Sequence, residues 1–462
     1  MNTIPAMKIN PLLRLCVLSA TALLISSCCQ MWTCTAGKSS RDPWREADRI
    51  VARIKPPTFP ARDFDVTRFG AVPGGEADCT SAFKSAIEAC HDAGGGRVEV
   101  PAGIYLSGPI HLKSRVNLHV SEGATIRFTT NTAAYMPVVF TRFECIELMN
   151  YSAPIYALGQ TDIAITGKGT LDGQGEVWHR WIKRWEADIR TLVDMARRGV
   201  PVNERVFGEG KTLRPNFIQP VRCNNVLIED VRVINSPMWT INPVYCTNVT
   251  VRRVTVETDG PNTDGCNPDS CTDVLIENCV FSNGDDCIAI KSGRDEDGRR
   301  VNIPSENIVI RDCVFKNGHG GVTMGSETAG GIRNVYAERC HFDSPDLDMA
   351  MRFKTNPARG GYIENIFLRD CTVKTAKYGI HITKRYGAGA TKDGDTDPAV
   401  RNIDISNSKF GTLTKGAIFV QGFSADKIVT DVRIENCEFQ PGKNGVTVTN
   451  AARIEIVDCR GL

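Results

Sequence analysis

Val274-Leu275-Ile276-Glu277-Asn278-Cys279 and, 34 residues later, Ile308-Val309-Ile310-Arg311-Asp312-Cys313 are two copies of one pattern: an alternating apolar strand, two polar residues, then a small apolar residue. Before them comes Val226-Leu227-Ile228-Glu229-Asp230-Val231. After them come Val335-Tyr336-Ala337-Glu338-Arg339-Cys340, Ile366-Phe367-Leu368-Arg369-Asp370-Cys371 and Val432-Arg433-Ile434-Glu435-Asn436-Cys437, and Ile456-Val457-Asp458-Cys459 closes the series. Successive cysteines 279, 313, 340 and 371 are 34, 27 and 31 residues apart, the period of a solenoid coil. Short β-branched strands parted by Asn, Gly and Asp turns, with no helices between them, favour an all-β, single-stranded right-handed parallel β-helix over a horseshoe or a βαβ sheet; a propeller is the weaker alternative.

In such a coil equivalent positions stack about 4.8 Å apart. The repeat cysteines therefore form an interior ladder of small hydrophobes, although eighteen cysteines in an exported chain would otherwise suggest a disulfide framework. Phe83, Ala86, Ile87 and Cys90, at helical spacing, predict a helix that caps the open N-terminal end. Nothing comparable closes the C-terminal end. Trp178, Trp181, Trp185 and a charged helical run from about Ala187 to Arg198 read as an insertion, residues 175–214, beside the solenoid.

Lys plus Arg and Asp plus Glu total 55 and 53, leaving a net charge of +2 and no basic stripe for nucleic acid. Lys8 and Arg14 precede a mainly apolar stretch, Leu15 to Ile25, too short to span a bilayer. Residues 1–27 thus read as an export signal, and Ile25-Ser26-Ser27-Cys28 resembles a bacterial lipobox, with Cys28 the lipidated residue; an ordinary signal peptide followed by a free cysteine is the alternative. Residues 28–60, with Pro43, Pro56, Pro57 and Pro60, read as a tether to a catalytic domain spanning 61–462. The expected setting is the bacterial periplasm or outer membrane, as a monomer whose membrane contact is the lipid anchor alone.

The repeat also fixes which polar residues are neighbours. Six residues past the ladder cysteine stand Asp285 and His319, and Asn283-Gly284-Asp285-Asp286-Cys287 lies over Asn317-Gly318-His319-Gly320-Gly321. One coil earlier comes Asn262-Thr263-Asp264-Gly265, and about one coil later Arg352-Phe353-Lys354. Cleaving a glycosidic bond needs a protonated acid and a second carboxylate. Crowding of three aspartates should keep one protonated. Arg352 and Lys354, two apart on a strand, point the same way and suit a negatively charged sugar such as a uronic acid. Taken singly, each motif has a bland reading: a good turn, solvated carboxylates, a packing histidine, a solvated strand face. Adjacent strand residues face opposite sides, so Asp285 and Asp286 both reach a cleft only if the chain bends near Gly284. Gly293 to Arg300, with mixed charges, reads as an exposed loop.

The four segments Asn262-Thr263-Asp264-Gly265, Gly284-Asp285-Asp286-Cys287, Gly318-His319-Gly320 and Arg352-Phe353-Lys354 stand in the order of the polygalacturonase family, glycoside hydrolase family 28, which the chain resembles over residues 63 to 460. The resemblance implies a pectin-lyase-like β-helix and inverting hydrolysis of α-1,4-galacturonosyl linkages in pectin or polygalacturonate. It implies that Asp285 is the general acid, that Asp264 and Asp286 hold the attacking water, and that His319 supports the acid. Arg352, Lys354, Asn262 and Tyr386 would bind substrate. No cofactor or metal is implied, and no CxxC or HxxxH spacing suggests one. The insertion and the 293–300 segment, similar to exo-acting bacterial members, favour exo action. A calcium-dependent pectate lyase and a non-catalytic carbohydrate-binding solenoid are the rival readings.

Overall fold

The computed structural model describes residues 42–387, 395–440 and 445–462. The repeat builds a sheet of thirteen parallel strands, running from Asp63–Asp65 to Ala451–Val457. Its register is the one the pattern implies: Val274 lies beside Ile308, Ile308 beside Val335, and Val335 beside Ile366. A second long sheet stacks the strands that follow each cysteine, and a row of isolated parallel bridges joins Ile218, Ile241, Cys266 and Ile288 along a third face. The architecture is a right-handed parallel β-helix.

The two polar residues before each cysteine have a backbone reason. Asp230, Asn278, Asp312, Asp370 and Asn436 turn the chain with φ between 50° and 66°, a left-handed conformation that Asn and Asp tolerate best. A second left-handed row, Asn307, Asn334, Asn365 and Asn402, links successive coils through side-chain amides, Asn334 Nδ2 donating to Asn307 Oδ1 at 3.1 Å and Asn365 Nδ2 to Asn334 Oδ1 at 3.1 Å.

Inside, Cys279, Cys313, Cys340 and Cys371 are buried free thiols, each donating to the carbonyl two residues back at 3.2–3.5 Å. No disulfide joins the described cysteines. Burial pushes the Cys266, Cys287 and Cys313 thiols well up, away from the reactive thiolate. Phe281, Phe315 and Phe342 stack behind the ladder with centroids 5.8 and 4.8 Å apart.

The helix Thr80–Asp92 caps the N-terminal end, burying Phe83, Ala86, Ile87 and Cys90 in the core. At the other end Val446 and Val448 stay 41% and 43% exposed, and no helix covers them among the described residues. The insertion carries the helices Glu176–His179 and Trp185–Arg197, and the second packs against an antiparallel hairpin, Val139–Phe143 with Ile146–Asn150. Leu192, Phe143, Ile146, Leu148 and Phe207 form their shared core, which also takes in Met238 and Trp239 from the coil.

Two expectations change. Of the expected tether, residues 42–60 are described, and they are docked rather than free: the helix Trp44–Arg53 buries Trp44, Ala47 and Ile50 against Leu275, Val309 and Tyr336, outward-facing apolar residues of the long sheet. Arg369 sits over the Trp44 ring at 3.9 Å and Tyr336 meets its edge. Trp44→Ala should destabilise the protein by about 3 kcal/mol, read as a lowered thermal midpoint, because it empties that site. Cys28 and residues 1–27 lie outside the described residues. The 293–300 segment is no exposed loop: Asp295–Val301 is a short helix, Asp297 is 1% exposed, and Arg205 pairs with it at 2.7 Å. Its mixed charges are met by partners from the insertion and the hairpin.

Candidate active site

Between the strands Val280–Ser282 and Ile288–Ile290 the chain leaves strand geometry. The bend is held on both sides, with Asn283 N–H donating to Asn317 O at 2.9 Å and Cys287 N–H to Gly320 O at 2.7 Å. Gly284 is there because the preceding coil presses on it: a Cβ would meet Gly260 O at 2.2 Å. The bend turns Asp285 and Asp286 into one cluster with Asp264, and one oxygen from each carboxylate lies within 4.8 Å of the others.

The register places the clustered carboxylates and His319. Cys266 lies beside Ile288 and Ile288 beside Val322, so Asp264 stacks on Asp286 and Asp285 on His319. His319 N–H donates to Asp285 O, and the His319 Nδ1 lies 3.1 Å from Asp285 Oδ1. Asp286, fully buried, accepts from Arg352 at 2.8 Å and from Lys354 at 2.6 Å. The Tyr386 hydroxyl lies 3.5 Å from Lys354 Nζ, and its ring faces both cations. Asn262, in a left-handed turn, accepts from the buried Arg214 of the insertion at 2.7 Å. Asp264, Asp285, Asn262, Lys354 and Tyr386 line one pocket of about 220 Å³.

Several of the residues around this cluster escaped sequence reasoning. Lys291 is buried with its ammonium 3.1 Å from Glu327, 3.8 Å from Asp264 and 4.7 Å from the Trp239 ring centre. Asn267 donates to Asp264 at 2.7 Å. Glu327 also meets Arg359, and Arg294 pairs with Glu144 at the hairpin tip. Lys291 was findable: the count that pairs Asp285 with His319 puts Lys291, Gly325 and Lys354 in one row. Glu144 comes from the hairpin, outside the repeat.

These surroundings separate the three carboxyls. Burial and the neighbouring Asp285 push Asp264 up to about 8. Burial also opposes ionisation of Asp286, but Lys354 and Arg352 overcome it and hold Asp286 well below the usual carboxylate range. Burial works the same way on Asp285, and its hydrogen bond to His319 together with the charges of Lys354 and His319 outweighs it; the same bond raises His319. The unliganded cluster therefore keeps a proton, and it favours Asp264. A calcium ion, which takes six to eight oxygen ligands, fits poorly here, since both Asp286 oxygens are already bonded to cations and Asp264 is held by Asn267.

Gly320 sits in the row beyond Asp286, and a Cβ there would lie 2.7 Å from Asp286 Oδ1 and 2.9 Å from Arg352 Cδ. Gly320→Ala, which also meets the buried Thr323 Oγ1 at 2.2 Å, should therefore pry Arg352 from Asp286, cutting kcat/KM about 100-fold and lowering the thermal midpoint, measured side by side on the purified variant.

The model of glycosyl hydrolases family 28 matches residues 201–455. A probable polygalacturonase of Vitis vinifera is 33% identical over 73% of this chain and 66% of its own. An exo-poly-alpha-D-galacturonosidase of Dickeya chrysanthemi is 28% identical over 79% of this chain and 65% of its own, so the chain spans about two thirds of the length of these curated relatives. Among solved structures, a hyperthermoactive exopolygalacturonase from Thermotoga maritima superposes with a TM-score of 0.85 at 41% identity, covering 90% of this chain and 96% of that one.

Proposed function

Since the chain belongs to glycosyl hydrolases family 28, we propose that it hydrolyses galacturonosyl linkages of a pectic polysaccharide, acting from one chain end and inverting the anomeric centre. The observation that carries the reading is the cluster itself: three carboxyls of unequal acidity within 4.8 Å, flanked by an imidazole and two cations. A hydrolase needs one carboxyl protonated and one ionised.

Asp285 is the general acid on this reading, because its side chain is 18% exposed towards the pocket, whereas the Asp264 and Asp286 side chains are 3% and 0% exposed. Asp264 carries the proton at rest, so the reactive form arises when that proton passes to Asp285. Asp285 then protonates the leaving oxygen, and Asp264, now ionised, takes a proton from the attacking water beside Asp286. Arg352 and Lys354 bind the uronate carboxylate, with Tyr386 covering them. Inversion is carried by the family likeness. Carboxyls this close fall short of the ~6.5–9.5 Å that usually accommodates the water of an inverting glycosidase.

End-wise action is supported by the wall of the pocket. Arg214 and Trp185 of the insertion, with Cζ over the ring at 5.3 Å, back Asn262, and Glu144 of the hairpin closes against Arg294. An exported, lipid-anchored enzyme remains the proposal for its location.

Digestion of polygalacturonate tests this reading directly. Monomer should appear from the first time point, and proton NMR of the fresh product should show the β-anomer before mutarotation. A ladder of oligomers would overturn the end-wise mode, an initial α-anomer the inversion, and ultraviolet-absorbing unsaturated products the hydrolase reading itself.

A further inference from the structure

The acidic side chains around the pocket differ in how they meet cations. Asp286 accepts from both Arg352 and Lys354. Glu327 meets Lys291 at 3.1 Å and Arg359 at 3.3 Å, and the Ser326 hydroxyl donates to it at 2.7 Å. Asp264 has no cation at hydrogen-bond distance among the described residues: the neutral Asn267 amide donates to its Oδ2 at 2.7 Å, and the Lys291 ammonium stands off from that same oxygen at 3.8 Å. Lys291 owes this position to the coil. Its strand row runs Asp269, Lys291, Gly325, Lys354, and Gly325 puts no side chain between the two lysines. Lys354 is drawn into a direct pair with Asp286, while Glu327 and the Trp239 ring, 4.7 Å from the ammonium, hold Lys291 back. Glu327 already has Arg359 as a counter-ion, so the buried charge of Lys291 is in surplus there and faces Asp264.

We propose that Lys291 is a positioning residue whose ammonium, shared between Glu327 and Asp264, holds Asp264 as a carboxylate once its proton has passed to Asp285. This rests on the reading of Asp264 as the base that activates water. In the transfer an O–H bond breaks on Asp264 and one forms on Asp285, with no change in net charge, so the new anion on Asp264 must be met by a cation already in place. Lys291 is that cation, because Arg352 and Lys354 are bonded to Asp286. Asn267 and Lys291 both act on Oδ2, which leaves Oδ1 to carry the mobile proton and then to accept from water. The charged groups facing Asp264 are Asp285, Asp286, Lys291 and Lys354; those facing Lys291 are Glu327, Asp264 and Asp286, with the Cys145 thiol behind. Burial and Asp285 raise Asp264 to about 8, and Lys291 is the strongest of the groups that oppose them.

The test follows kcat and KM on trigalacturonate against pH for the native protein, Lys291→Met, Glu327→Gln and the double variant. Lys291→Met should lose about 10-fold to 100-fold in kcat with KM little changed, and its alkaline fall in activity should move up by about one pH unit, because Asp264 then holds its proton more tightly. Glu327→Gln should move the alkaline fall the other way, since Lys291 is then free to serve Asp264 alone. The double variant leaves no half of the buried pair uncompensated, and it tests the assignment even where Lys291→Met fails to fold: it should still lose about ten-fold in kcat, with the alkaline fall moved upward. An alkaline fall that stays in place in Lys291→Met and in the double variant, or a loss carried by KM, overturns the assignment. On a galacturonide with an activated aryl leaving group, Lys291→Met should stay slow. Its recovery there together with Asp264→Asn would show that the base reading of Asp264 has failed, and its recovery while Asp264→Asn stays slow would show that Lys291 does not serve the base.

Discussion

Asp285→Asn lowers kcat on oligogalacturonides by about 1,000-fold to 10,000-fold and leaves substrate binding nearly intact, because general acid assistance contributes on that order and the cationic grip of Arg352 and Lys354 is untouched. The discriminating measurement uses a galacturonide with an activated aryl leaving group, which needs no proton. Asp285→Asn should recover most of its rate on that substrate, whereas Asp264→Asn, lacking the water-activating base, should not. If Asp264→Asn is the variant rescued, the two roles are exchanged, as the resting proton on Asp264 would allow. The pH profile follows from the same pair. Asp264, raised to about 8, holds the shared proton up to that pH, so activity falls as pH climbs through it. Replacing His319 by Ala removes a group that holds Asp285 down, so the alkaline fall should move to higher pH while the rate drops.

The largest loss of stability is expected at Arg142→Met. Arg142 and Asp269 are both buried and meet at 2.7 Å, tying the hairpin Val139–Phe143 to the coil. Removing the cation leaves the Asp269 carboxylate sealed and uncompensated, at a cost of about 3–5 kcal/mol. The thermal midpoint should drop sharply, and Arg142→Met combined with Asp269→Asn should recover part of the loss, as expected for coupled groups. Equal midpoints for the single and double variants would show that the pair is not what holds the hairpin.

What the sequence made legible was whatever the coil repeats. Counting from Cys279 and Cys313 placed Asp285 over His319 and put Asp264 one coil earlier; that Asp264 stacks on Asp286 follows from the bridge between Cys266 and Ile288. The bend that admits Asp286 was readable as a need, though the glycine serves by close approach to Gly260. What lay outside the period was hidden. Glu144 meets Arg294 across 150 residues, and Arg205 meets Asp297 across 92, so a run of charge that looks solvated locally is neutralised from afar. The docked helix Trp44–Arg53 left a trace that went unused. Leu275, Val309 and Tyr336 are apolar where an uncovered sheet would show polar residues, and that stripe marks the position of a covering element.

Asp286 has a history as well as a geometry. Each coil touches mainly its neighbours, so a solenoid can grow from one end as the chain is synthesised. Asp264 and Asp286 would then be laid down and enclosed one after the other, while Arg352 and Lys354 are still 66 and 68 residues from being made. During that interval the two stacked carboxylates have Lys291 beside them but lack the two cations that bond Asp286, and protonation from solvent is the available relief. Ribosome-bound chains that stop before Arg352 should therefore be sensitive to alkaline pH at these coils, and arrival of the Arg352-Phe353-Lys354 strand acts as the latch that makes the nascent fold commit.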